Sequence, residues 1–203
     1  MRIRQHVNPL KSDFFGIPLP ALSLPAGAPV EVELGSAEAF FLMERALEEP
    51  RGHYVGVEIR RDLAWAANAE SARRGLRNVH SVFANMTVDL GRLFGRSSVN
   101  RFHLNFPDPW FKSRQHKRRV MSPALVSELG TLLASGGEVH VATDIFEIAL
   151  DAMAALEIES PRFTSLAGAW SFVRQSPFAA RSRRERQCED EGTRIWRLAY
   201  RRE

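Results

Sequence analysis

Apolar and acidic residues alternate from Val30 to Leu34 and stop at Gly35, the two-residue period of a short strand running into a turn. Phe40, Phe41, Leu42, Met43 and Leu47 then crowd a helix-forming stretch that ends at Pro50. His53 to Glu58 predicts a second strand. Residues 60–74, rich in Ala and Arg and closed by Gly75, predict a second helix. Val79 to Phe83 is a third strand, and Val99 to Asn105 a fourth with Val99, Arg101, His103 and Asn105 on one side. Residues 106–119 combine Pro107, Pro109 and a charge cluster, which predicts a loop. Ser122-Pro123 opens a helix that Gly136-Gly137 should end. Val139, Val141 and Thr143 make a fifth strand, and Ile145 to Leu156 the next helix.

Strands and helices that alternate in this way predict an α/β fold, a parallel sheet covered by helices. No repeat, low-complexity tract or linker divides the chain, so residues 1–203 are expected to form a single domain. Ligands of such sheets bind outside the carboxyl ends of the strands. Those ends are Gly35, Glu58, Phe83 to Asn85, Asn105 to Asp108, and Thr143-Asp144, mostly polar or glycine where the strand interiors are apolar.

Composition narrows the class. The hydrophobic fraction is 44% and the charged fraction 26%, as in ordinary globular proteins. No apolar run reaches the ~20 residues of a membrane-spanning helix, and the charged start, interrupted by Pro9, is no signal peptide. The one cysteine, Cys188, excludes an intrachain disulfide and a cysteine zinc site and suits a reducing cytoplasm. The expectation is a cytoplasmic protein with no membrane and no metal partner. Charge is unevenly spread. Residues 101–119 carry Arg101, Lys112, Arg114, Lys117, Arg118 and Arg119 against Asp108 alone. Residues 120–160 hold seven acids and no Lys or Arg, and ten arginines follow from 161 onward. If the fold joins the two basic blocks, they make a surface for phosphates; otherwise they are solvated faces.

Two constellations carry chemistry. Glu33-Leu34-Gly35 before a helix, with Glu58 closing the next strand, fits a nucleotide-binding βαβ unit whose second acid takes ribose hydroxyls. A plain turn after the strand fits the same residues. The segment Asn105-Phe106-Pro107-Asp108-Pro109-Trp110-Phe111-Lys112 is more specific. Two prolines fix the backbone on both sides of Asp108, aromatic residues follow, and cations stand beside them. That suits a purine of a nucleic acid whose phosphates meet the cations; a rigid surface loop with a solvated charge run fits the same residues.

NFPDPWFKSRQHKRR resembles the signature of the tRNA (guanine-N7-)-methyltransferase family, and almost the whole chain falls into register with it. Glu33 to Ala39 matches the family's acid–x–Gly-rich turn, Val57-Glu58-Ile59-Arg60 its second-strand acid, and Thr143-Asp144 its Thr/Ser-Asp pair. Ser182-Arg183-Arg184-Glu185 matches Thr-x-x-Glu, and Gly192 to Arg197 opens the last strand. RQHVNPL is similar to the start of some bacterial members. Ala37 and Ala39 stand in places of glycines, and Asn85 where an aspartate is common.

The resemblance implies a Rossmann-like class I methyltransferase, a mostly parallel doubly wound sheet with an antiparallel C-terminal strand. It implies methyl transfer from S-adenosylmethionine to N7 of a guanosine in the tRNA variable loop, by a monomer or weak homodimer. Glu33, Gly35, Glu58, Asn85 and Asn105 would line the cofactor, and Asp108 would sit between cofactor and base as the catalytic residue. Lys112, Asp144, Ser182 and Glu185 would contact the nucleotide, and Arg114, Lys117, Arg118 and Arg119 the tRNA backbone. Guanine N7 has a free lone pair, so no general base is needed and orientation carries the catalysis. Two other readings use the same residues: a silent RNA-binding relative, and a methyltransferase with a small purine acceptor.

Overall fold

The computed structural model describes residues 7–22, 24, 25, 27–108, 121–159 and 162–203. Its strands are β1 (Val30–Leu34), β2 (His53–Glu58), β3 (Val79–Phe83), β4 (Val99–Asn105), β5 (Leu133–Thr143), β6 (Phe163–Ser165) and β7 (Trp196–Arg202). The helices are α1 (Phe40–Glu48), α2 (Arg61–Arg73), α3 (Leu90–Leu93), α4 (Pro123–Leu132), α5 (Phe146–Ile158) and α6 (Arg183–Asp190).

All seven strands join one sheet in the order β3-β2-β1-β4-β5-β7-β6. Pairings among β1 to β5 are parallel, whereas β7 runs antiparallel to β5 and to β6. The larger apolar cluster packs Leu90 of α3, Leu125, Val126 and Leu129 of α4 and Met153 and Leu156 of α5 against strand residues such as Phe102 and Leu104. A second cluster gathers Phe41, Leu42, Met43 and Ala46 of α1 with Ala67 of α2. Burial on both faces explains why the strands read as apolar through their middles. Strand order reverses between β1 and β4, so the chain leaves their carboxyl ends in opposite directions and a crevice opens there.

The expectation for Gly136-Gly137 is corrected. Helix α4 already ends at Leu132, and the glycine pair lies inside β5. The register against β4 slips there, with Val99 opposite Leu133 and Arg101 opposite Glu138. Gly136 takes φ +72°, and a Cβ on Gly137 would stand 2.9 Å from the Ala134 carbonyl oxygen. The pair therefore serves a strand irregularity, where glycine is as diagnostic as at a helix end.

Candidate active site

The turn after β1 builds the site's floor. Gly35 (φ +75°), Ala37 (φ +47°) and Ala39 (φ +56°) are all in the left-handed region, which explains why glycines suit this turn. The two alanines carry a strain of roughly 1–2 kcal/mol each. Ala39 is fully buried, and its methyl group joins the apolar cluster under α1.

Two carboxylates meet beneath the turn. Glu33, the last residue but one of β1, is 4% exposed; its Oε1 accepts from Asn105 Nδ2 at 2.9 Å, and its Oε2 has no hydrogen-bond partner among the described residues. Burial, aided by the charges of Glu58 and Glu185, pushes the Glu33 carboxyl up to about 8 against one bond from Asn105. Glu58 closes β2 and is fully engaged. Its Oε1 accepts from Arg60 N at 2.9 Å and Arg60 Nε at 2.7 Å, its Oε2 from Ala37 N at 2.8 Å and Arg60 Nη2 at 3.1 Å.

Asp108 reaches these groups through a sharp backbone reversal. Phe106 has φ +50°, rare for an aromatic residue before proline, while its N–H donates to the Ala142 carbonyl at 2.7 Å. The chain thus turns from β4 back over β1 and β2, and Asp108 lines a cleft of about 120 Å³ with Gly35, Glu58, Arg60 and Asn105. Gly35, Arg60, Asn105 and Phe106 also border a neighbouring cleft of about 220 Å³, closed by Glu33 and by Ser182 to Arg184. The two clefts lie at the strand-order reversal.

Other candidates take different positions. Asn85 is completely buried; its Nδ2 donates to the carbonyls of Pro9 and Phe14, and its Oδ1 accepts from the N–H and hydroxyl of Thr87. The amide thus ties the N-terminal segment to the end of β3. Ser182 caps α6, its Oγ accepting from Glu185 N at 3.2 Å, so the Ser-x-x-Glu spacing is also a helix start. Glu185 is buried and accepts from Arg197 at 2.7 Å. Asp144 accepts from Arg184 at 2.6 Å, which places it beside the larger cleft through that arginine. Lys112, Arg114, Lys117, Arg118 and Arg119 lie outside the described residues. Sequence reasoning assigned no role to Arg60 or Arg184, although the first stands in the quoted Val57–Arg60 motif and the second in the C-terminal basic block.

The arrangement suits S-adenosylmethionine. The buried Glu33 oxygen without a hydrogen-bond partner among the described residues suits a cation, and Gly35 and Glu58 line the adjoining cleft. Among the described residues no His, Cys, Asp and Glu cluster could hold a metal ion, and no helix is long and apolar enough to cross a membrane.

Fold and site together define a Rossmann-like class I methyltransferase. In solved structures the same fold recurs in geranyl diphosphate C-methyltransferase from Streptomyces coelicolor A3(2), with TM-score 0.58 and 13% identity over 86% of this chain and 74% of that one. The aminoglycoside resistance methyltransferase NpmB1 aligns with TM-score 0.55 and 15% identity over 86% of this chain and 87% of its own. A family model described as "Putative methyltransferase" matches residues 27–198. Among curated relatives, the tRNA (guanine-N(7)-)-methyltransferase of Synechococcus sp. (strain JA-3-3Ab) is 38% identical over 97% of this chain and 84% of its own length. That of Thermosynechococcus vestitus is 37% identical over 100% and 95%. The chain belongs to the tRNA (guanine-N(7)-)-methyltransferase family.

Proposed function

We propose that this chain methylates N7 of a guanosine in the variable loop of tRNA, in the cytoplasm, with S-adenosylmethionine as donor. The observation that carries the reading is the convergence of Glu33, Glu58, Asn105 and Asp108 on two adjoining clefts at the reversal of strand order. When bound, S-adenosylmethionine supplies an electrophilic methyl group. Glu33 receives its ammonium, Glu58 its ribose hydroxyls, and Asn105 fixes the Glu33 carboxyl from β4. Asp108, held by its proline-flanked backbone, orients the guanine and favours the positive charge that appears on the ring. Asp144 and Glu185 suit the N–H donors of the guanine edge, because a carboxylate accepts two bonds in one plane. Ser182 and Lys112 complete the nucleotide contacts, and Arg114, Lys117, Arg118 and Arg119 take backbone phosphates.

The test is transfer from labelled S-adenosylmethionine to transcribed tRNA, read by nucleoside analysis, with Asp108→Asn alongside. Asn keeps the shape and an acceptor but loses the charge, so turnover should fall by roughly 10²–10³ at near-normal tRNA affinity. Equal turnover in both proteins removes Asp108 from catalysis. A wild-type chain that binds both ligands and transfers nothing makes it a silent relative, and transfer to free purines but not to tRNA makes the acceptor a small molecule.

A further inference from the structure

The lone pairs of Glu58 are the starting point. A carboxylate offers about four acceptor sites, and in the structure two backbone N–H groups and two guanidinium N–H groups of Arg60 fill them. The backbone donors, Ala37 N and Arg60 N, are fixed by the turn after β1 and the start of α2. Only the Arg60 side chain can yield its two bonds to a ribose diol. Among the described residues it is the one competitor for the cofactor that can move without unfolding an element.

The Arg60 guanidinium has a second carboxylate in reach of its charge. Arg60 and Asp108 line the same cleft as Glu58. Burial disfavours the Arg60 charge, and Glu58, then the charges of Asp108 and Glu38, more than restore it. A cation released from Glu58 therefore remains in a field of carboxylates on the Asp108 side, where bidentate guanidinium–carboxylate pairing is strong.

We propose that Arg60 is a positioning residue that links the two ligand sites: it holds Glu58 until ribose hydroxyls replace it, and then turns fully to Asp108 and orients that carboxylate for the base. The inference rests on the cofactor reading of Glu58. It couples the two sites, because seating the cofactor turns Arg60 towards Asp108, and cofactor and tRNA then strengthen each other's binding.

Calorimetry of S-adenosylhomocysteine binding, with and without saturating tRNA, tests this on wild type, Arg60→Ala, Arg60→Lys and Glu58→Ala. Arg60→Ala should bind S-adenosylhomocysteine about 5–10-fold tighter than wild type, because two charge-assisted bonds no longer compete. The tightening by tRNA expected in wild type should vanish in that variant, kcat should fall about tenfold, and KM for tRNA at saturating cofactor should rise by the factor of the lost coupling. Arg60→Lys, which can reach Asp108 but cannot chelate Glu58, should restore part of kcat while keeping the tighter binding. Arg60→Ala binding that is unchanged or weaker overturns the proposal, as does coupling to tRNA that survives the substitution. Unweakened binding by Glu58→Ala instead removes Glu58 from the cofactor site, and the proposal falls with it.

Discussion

Glu33 sets a buried carboxyl against the need for a charge. Its carboxyl ordinarily titrates near 4.5, and in the fold near 8, chiefly through burial. Between those values the folded chain holds a proton that the unfolded chain has lost, so stability falls as pH rises across the window. Glu33→Gln removes this dependence. Thermal or urea unfolding at pH 5 and pH 8 should show wild type losing stability relative to the variant as pH rises, by on the order of a few kcal/mol at most. Parallel pH curves for the two proteins would show that Glu33 does not hold that proton. On the proposed reading the same residue would link pH to function, since a cofactor ammonium beside Glu33 would favour the ionised form.

Helix α1 is held by ions as well as by its apolar face. Arg45, 4% exposed, donates to both oxygens of Glu31 on β1 at 2.8 and 3.1 Å. Glu31 also accepts from Arg101 at 2.7 Å and lies 2.9 Å from His103 Nε2, both on β4. Burial raises the Glu31 carboxyl, but the bonds from His103 and Arg45 outweigh it and leave the group well below the usual range. Burial brings His103 down to about 4, so it meets Glu31 as a neutral donor. Phe178 covers the group, with the Arg45 guanidinium 4.6 Å from its ring centroid. Breaking a buried pair from one side strands the other charge, so Arg45→Ala should cost about 3–5 kcal/mol in urea unfolding. A loss below 1 kcal/mol would mean that Arg101 and His103 hold Glu31 without help from α1.

At the scale of the molecule, β7 returns the C-terminal arginines to the sheet. Antiparallel to β5, it follows α6, whose first residues border the larger cleft; there Arg183 pairs with Glu38 at 3.1 Å and Arg184 with Asp144 at 2.6 Å. Both of these arginines have carboxylate partners, so the proposed role of the block at 112–119 in taking tRNA phosphates is tested apart from them. Neutralising any one of Lys117, Arg118 and Arg119 should weaken binding to all tRNAs alike and lower the salt slope by about 0.7–0.9. A slope unchanged after all three are neutralised would make the block a solvated face.

The alternation of Val30 to Leu34, the apolar β2 and the turn glycines were enough to predict the first five strands and the parallel α/β class, because local period and burial on both faces point the same way there. Gly35, Glu58, Asn105 and Asp108 were likewise visible as strand ends that are polar or glycine, and Glu33 through the Glu33-Leu34-Gly35 turn. Gly136-Gly137 misled because a glycine pair marks a strand irregularity as readily as a helix end, and only pairing with β4 separates the two. Nothing local to Asn85 reveals Pro9 and Phe14, more than 70 residues away, as its hydrogen-bond partners. Ionic partners such as Glu31 with Arg45, Arg101 and His103, and Glu58 with Arg60 beside Asp108, depend on which strand ends become neighbours. Sequence determined the elements and the chemical inventory at their ends. Strand order and the left-handed turn at Phe106 decided which of those groups share a cleft, because side-chain proximity across a sheet is a property of register and crossover that no short window of sequence contains.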